Sequence, residues 1–251
     1  MEGSVNLNIK NGIGTIEFYH PQSNSLPANI LNNLAETISS CGLNEDISVI
    51  ILKSKGDRAF CAGASFEELK NISNKEDGKE FFMGFAKVIN ASRKCPKLII
   101  GRVQGKAVGG GVGMACATDY CYATKYASVK LSELAIGIGP FVVGPAVERK
   151  TGVSAYSTLA INASKWFSAE WAREKGIYSE VFESVEDMDQ EISELAIKLA
   201  KSNPQALQKL KQVFWSDYKK WDELLEKRAE YSGELVLSNF TKNAILKFNR
   251  K

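Results

Sequence analysis

The sequence predicts an α/β layer fold on three observations: short apolar runs of strand length, helical-period stretches set between them, and a C-terminal third in which only the helical period persists. The N-terminal segment reads as a hairpin. Val5, Leu7 and Ile9 alternate with polar residues, Asn11-Gly12 supplies a two-residue turn, and Ile13, Ile16 and Phe18 follow. Ile30, Leu31, Leu34 and Ile38 then recur with helical spacing, and Cys41-Gly42 places a glycine to stop that helix. Val49 to Lys53 and Leu98 to Val103 are buried strands bounded by turn residues, and Asp119 to Ala123 and Val129 to Leu131 add two more. Up to about residue 135 the order strand, strand, helix repeats without sequence self-similarity. From Ser168 the period is helical, with apolar sets at Ile192, Leu195, Ala196 and Leu199 and at Leu207, Leu210, Val213 and Phe214, separated by Ser202-Asn203-Pro204.

The bulk properties narrow the chemistry. With 251 residues, 44% hydrophobic and 24% charged, the chain has the composition of an ordinary globular protein. Its net charge of +3, from 32 basic and 29 acidic residues, is scattered except for Lys242, Lys247, Arg250 and Lys251 near the end, which is no nucleic-acid surface. Five cysteines, Cys41, Cys61, Cys95, Cys116 and Cys121, form no C-x-x-C pair and read as reduced thiols. The start, Met1-Glu2-Gly3-Ser4, lacks the basic and apolar pattern of a leader, and no run approaches the ~18 apolar residues of a membrane span, so a cytoplasmic location without membrane contact is expected. The one histidine, His20, precedes Pro21 and reads as a turn residue. Ser-His-Asp or Cys-His hydrolysis would have to run through it, and histidine-rich metal sites cannot be assembled.

Two glycine-containing stretches follow buried strands: Ala59-Phe60-Cys61-Ala62-Gly63-Ala64-Ser65 and Gly105-Lys106-Ala107-Val108-Gly109-Gly110-Gly111-Val112-Gly113. Small residues let a ligand approach the main chain, and successive N–H groups entering a helix can point at one negative oxygen. Neither stretch ends as a phosphate loop does or fits the dinucleotide fingerprint. Spacing alone leaves open whether they form an oxyanion hole or only permit close helix–strand packing.

A third stretch decides between them: Ser128-Val129-Lys130-Leu131-Ser132-Glu133-Leu134-Ala135-Ile136-Gly137-Ile138-Gly139-Pro140. Together the three resemble the enoyl-CoA hydratase and isomerase (crotonase) superfamily, whose pattern is F-x-A-G-A-D, then G-x-x-x-G-G-G, then P-E-x-x-x-G-x-x-P. His20-Pro21-Gln22-Ser23-Asn24-Ser25-Leu26 matches the family's R-P-x-x-x-N-A-L, and Ser168 to Val181 its A-x-x-A-x-x-x-G-L-V, so the likeness covers nearly the whole chain. The resemblance implies a crotonase-like spiral of β-β-α repeats over 1–190. It implies a helical region over 191–251 involved in oligomerisation, as a homotrimer or homohexamer.

Carried over residue by residue, the resemblance puts the oxyanion donors on the N–H groups of Ala64 and Gly110 and the proton carrier on Glu133. Ala62, Gly63, Ser65, Phe66, Gly109, Gly113, Pro140 and Phe141 fall at substrate-binding positions, with Ala62 at the adenine pocket. The partner implied is an acyl-CoA thioester, with coenzyme A entering as part of the substrate and no metal or other cofactor. Hydratases of the family use two glutamates, but here Gly113 occupies the first position, Glu133 the second, and Ser132 replaces the usual proline. One carboxylate beside one oxyanion suits Δ3,Δ2-enoyl-CoA isomerisation, and Gly139-Pro140-Phe141 looks like the isomerases' proline-phenylalanine step. The alternatives are a hydratase with a replaced second acid, for which Glu67 or Glu68 could stand in, and a non-catalytic acyl-CoA-binding protein. Ser65 and Ser23 replace charged residues common in relatives, Ser23 near the CoA phosphates, which leaves Lys247 and Lys251 as candidate phosphate contacts. Asp119 is expected to be structural, and the segment from Ser73 to Ala91 to line the acyl tunnel.

Overall fold

The computed structural model describes residues 3–248. Strands β1 (Ser4–Lys10) and β2 (Ile13–Tyr19) form the expected hairpin, with Lys10 opposite Ile13. Asn11 and Gly12 both take positive φ, 53° and 78°, the combination that matches a two-residue turn to strand twist. After β3 (Ser25–Leu26), helix α1 (Ala28–Leu43) buries Ile30, Leu31, Leu34 and Ile38. Gly42 does not stop α1. The helix runs through it to Leu43 and ends at Asn44, whose N–H returns to Ser40 and Cys41. Gly42 serves packing, because a Cβ there would lie 2.9 Å from Pro96.

Next come β4 (Val49–Ser54), β5 (Ala59–Cys61), β6 (Gly63–Ala64), α2 (Phe66–Lys70) and α3 (Lys75–Lys94). They are followed by β7 (Leu98–Val103), β8 (Lys106–Val108), α4 (Gly110–Ala117), β9 (Tyr120–Thr124) and β10 (Val129–Lys130). A 3₁₀ turn at Glu133–Ile136 leads to α5 (Gly144–Ile161), α6 (Ala169–Glu174), β11 (Glu180–Phe182) and α7 (Val185–Ala200). Helices α8 (Pro204–Phe214), α9 (Trp221–Leu235) and α10 (Asn239–Phe248) complete the chain. The spiral is therefore present: β4, β7 and β9 each enter one large sheet, β5, β8 and β10 each enter a small one, and a helix follows each pair.

The large sheet has the order β1-β2-β4-β7-β9-β11, parallel except at the terminal hairpin. Its last strand, β11, lies in the stretch read as helical. Three half-buried residues are too short a run to override the helical period around them. One face carries the main core with Ile16, Leu52, Ile99 and Val103. The other is covered by α7, through Met188, Ile192 and Ala196 against Val49, Ile100 and Tyr122. Helix α7 is continuous through position 190, and Pro204 opens α8 behind an Asn203 cap as its sequence implies.

Asp119 does cap a backbone group, accepting from the Ile99 N–H at 2.8 Å. It also accepts from Lys211 Nζ at 2.5 Å and Trp215 Nε1 at 3.0 Å, so a buried ion pair ties α8 to the sheet. Helix α9 runs antiparallel along α3, with Lys75 on Glu234, Lys79 on Glu226 and Glu230, and Arg93 on Asp222. Gly78 and Gly233 meet where the helices cross, since a Cβ on Gly78 would be 2.8 Å from the Gly233 backbone. Helix α10 returns to the 3₁₀ turn, setting Phe240 and Thr241 against Gly137. Val236 and Ile245 join Leu69 and Ile138 in a third apolar cluster above α2 and α3. Among the described residues, no helix is long and apolar enough to cross a membrane.

Candidate active site

Strands β5, β8 and β10 are parallel neighbours, with Cys61 beside Ala107 and Lys130 beside Val108. Parallel strands end at a common edge, so the three motifs, far apart in sequence, leave the small sheet together. At that edge lies a cavity of about 410 Å³ lined by Ala62, Gly63, Ala64, Phe66, Gly109, Gly110, Glu133, Pro140 and Phe141. Nine of the eleven predicted site residues thus share one wall. Ser65 and Gly113 stand behind it. Ser65 is buried and caps α2, accepting from the Glu68 N–H at 3.4 Å.

The loop bearing Ala64 is held from β3. The Ala62 N–H donates to Asn24 O at 3.3 Å and the Ser65 N–H to Leu26 O at 3.0 Å. The Ser25 hydroxyl donates to Ala64 O at 2.9 Å, which orients the following peptide. Asn24 is itself locked, its amide donating to the carbonyls of Lys55 and Ala59. The matching motif at residues 20–26 signals this brace in the sequence, although not what it bonds.

Gly109 has φ 52° and ψ −113°, a conformation that side chains resist, and a Cβ there would come within 2.9 Å of Glu133 Oε1. Gly110 begins α4, so its N–H belongs to the first turn and has no acceptor within the helix. All of α4 is buried, and the positive end of its dipole lies at the cavity wall with Gly110. The Phe85 ring sits on Gly110, with its tip 2.3 Å from where a Cβ would project.

Glu133 enters the cavity from the 3₁₀ turn. Its Oε2 is buried and, among the described residues, has no hydrogen-bond partner. Burial pushes its carboxyl up from 4.5 to about 7, opposed only by a hydrogen bond from its own backbone. Such a group can take and return a proton near neutral pH.

Behind the wall, the surroundings of Gly113 are aliphatic. A Cβ on Gly113 would lie 2.6 Å from Val143 Cγ1 and 3.4 Å from Ile89 Cδ1, so the space beside it is filled. Glu67 and Glu68 do not replace the missing carboxylate. Glu67 accepts from Gln22 and Glu68 from the Ala28 N–H at 2.9 Å. Other residues of the cavity wall include Phe81, Phe82 and Phe85 of α3, Leu69, Ile136 and Ile138, with Lys130, Ser132, Ser164 and Ser232. The spacing of Phe81 and Phe85 within the segment expected to line the tunnel is the signal that finds them.

The remaining chemical groups are engaged elsewhere. All five cysteines are free and buried, and burial raises the Cys61 and Cys116 thiols to about 12 and those of Cys41 and Cys121 to about 11, which keeps them neutral. His20 belongs to the turn, its N–H donating to Asn24 Oδ1, and is not in the cavity wall. Lys247 is exposed on α10, while Arg250 and Lys251 lie outside the described residues. No group of three or more His, Cys, Asp or Glu suited to a metal occurs among the described residues.

The family model for enoyl-CoA hydratase/isomerase matches residues 8–245. A Bacillus subtilis (strain 168) protein named "Probable enoyl-CoA hydratase" is 25% identical over 99% of this chain and 96% of its own. The peroxisomal Delta(3,5)-Delta(2,4)-dienoyl-CoA isomerase of Arabidopsis thaliana is 28% identical over 76% of this chain and 72% of its own. In fold, the chain superposes on the crystal structure of enoyl-CoA hydratase from Bacillus halodurans with a TM-score of 0.88 at 23% identity, covering 97% of this chain and 99% of that one.

Proposed function

The chain belongs to the enoyl-CoA hydratase/isomerase family, and from that premise we propose that it moves a double bond within an enoyl-CoA thioester through an enolate. The observation that carries this reading is one buried carboxyl with no second acid beside it: among the described residues Glu133 is the one carboxylate lining the cavity, and Val143 and Ile89 fill the space at Gly113. Hydration as the family's two-glutamate enzymes perform it needs a second acid to share the attacking water with Glu133, and among the described residues no other carboxylate lines the cavity.

In the proposed reaction the N–H groups of Ala64 and Gly110 hold the thioester oxygen. Glu133, as carboxylate, takes the proton from C2 of a 3-enoyl-CoA. Negative charge moves onto the thioester oxygen, where the two amides and the α4 dipole stabilise it. Each such donor is worth about 3–4 kcal/mol in the transition state. Glu133 then returns the proton to C4, leaving the 2-enoyl-CoA and the ionised base. The step is a proton transfer balanced within the substrate, so coenzyme A enters as part of the substrate and no redox partner or metal is called for. Five free thiols accord with a reducing compartment such as the cytoplasm. Exposed Ile161, Phe240 and Leu246 offer apolar surface for the trimer or hexamer expected from the family.

Proton NMR on a 3-enoyl-CoA and a 2-enoyl-CoA tests the reading. Conversion of the first without formation of 3-hydroxyacyl-CoA from the second is expected. Hydration of the second would replace the proposal with a hydratase, and saturable binding with no turnover of either would replace it with a binding protein.

A further inference from the structure

We propose that Lys106 and Lys130, both over the Trp166 ring and the second of them lining the cavity, form a subsite for an oxyanion carried by the thioester substrate. The proposal rests on the acyl-CoA reading above and adds a recognition element to it.

Register brings the three residues together. Strands β8 and β10 pair with Ala107 beside Val129 and Val108 beside Lys130. The segment containing Phe167 bonds antiparallel to β10, the Val129 N–H donating to Phe167 O at 2.8 Å and the Phe167 N–H to Val129 O at 3.0 Å. One step along, Lys130 and Trp166 are cross-strand neighbours. Because side chains alternate along a strand, Lys106 shares a face with Val108, and Val108 and Lys130 both line the cavity. The Lys106 and Lys130 ammonium groups lie 5.0 and 4.6 Å from the centre of the Trp166 ring.

Among the described residues no carboxylate neutralises the two ammonium groups, Lys106 being exposed and Lys130 half-buried. A cation–π contact positions an ammonium but does not neutralise it. Among the described residues, neither lysine is in an ion pair, whereas Lys53, Lys79, Lys94, Lys125 and Lys211 all have carboxylate partners. Two like charges on one indole repel, and an oxyanion bridging them gains two charge-assisted hydrogen bonds. Ser132 and Ser164 also line the cavity and carry hydroxyl donors.

The oxyanion has two sources in a CoA ester, a phosphate of the coenzyme or a carboxylate at the far end of the acyl group. Calorimetric titration separates them, using wild type, Lys106→Met, Lys130→Met, the double variant and the double Lys→Arg variant. The probes are butyryl-CoA, butyryl-dephospho-CoA, the phosphate-free N-acetylcysteamine butyrate thioester and glutaryl-CoA. The double Met variant is expected to weaken binding on the order of 10- to 100-fold for the probes that carry the anion, with the Arg pair largely restoring it. Loss for butyryl-CoA and glutaryl-CoA that spares the N-acetylcysteamine thioester assigns a phosphate, the 3′-phosphate if butyryl-dephospho-CoA is also spared and the pyrophosphate if it is not, and loss confined to glutaryl-CoA assigns a carboxylate. A change under about two-fold for all four probes, in a variant with unaltered melting temperature, would overturn the subsite while leaving the proposed reaction standing. Weakened binding in an enzyme that turns over neither enoyl-CoA would keep the subsite and sink the reaction.

Discussion

Replacing Glu133 with Gln separates the chemical role of this carboxyl from its thermodynamic one. Its folded-state value of about 7, against 4.5 for an ordinary glutamate, means the fold favours the neutral acid. The stability contributed by the neutral form is complete below pH 4.5 and is lost as pH rises to about 7, above which the fold holds a buried carboxylate. The shift corresponds to about 3 kcal/mol, and water at the cavity mouth reduces the expected effect to about 1–3 kcal/mol. A glutamine has the same shape without the charge. Glu133→Gln should match wild type in urea unfolding at pH 4.5 and exceed its stability by that amount at pH 8. Turnover should fall by about 10²–10⁴-fold, and wild-type kcat/KM should rise with pH to a plateau above about 7 as the base ionises. A stability difference that stays constant from pH 4.5 to 8 would show that this carboxyl is not held neutral, and the reasoning from its buried, unpartnered oxygen would fail.

Gly113→Glu should not create a hydratase. Its Cβ would lie 2.6 Å from Val143 Cγ1, so we expect a loss of about 1–3 kcal/mol in thermal denaturation and no 3-hydroxyacyl-CoA by NMR. Gly110→Ala drives a methyl into the Phe85 ring at 2.3 Å and should lower kcat by about 10²–10³-fold through displacement of the amide. Adding Phe85→Leu should recover part of that loss, and no recovery would argue against the ring contact as the cause. Lys211→Met leaves the buried Asp119 carboxylate without its cation and should cost about 3–5 kcal/mol in chemical unfolding, whereas Lys211→Met with Asp119→Asn should cost clearly less.

The strands and the helices with strong apolar periods were legible because their patterning is local. Leu98 to Val103 is β7 to the residue, and Pro204 marks the start of α8. Where a residue's role is set by what packs on it from elsewhere, the local pattern misled. Gly42 reads as a stop yet lies inside α1 against Pro96, and β11 lies within a segment whose period is helical. Asp119 was legible as structural, but its partners Lys211 and Trp215 lie about ninety residues on, where nothing in the spacing announces them.

The same division runs through the site. The sequence by itself determined the α/β class and the glycine-containing stretches around Ala64 and Gly110, which are written in residue type and short-range spacing, and its resemblance to the family singled out Glu133 and Gly113. Only the tertiary structure decided that the parallel ends of β5, β8 and β10 gather those residues on one cavity. It alone showed that Val143 and Ile89 occupy the space at Gly113 and that Lys106 and Lys130 share one tryptophan. Register, burial and the filling of space arise between distant segments, and the desolvation that lifts Glu133 arises from the same packing.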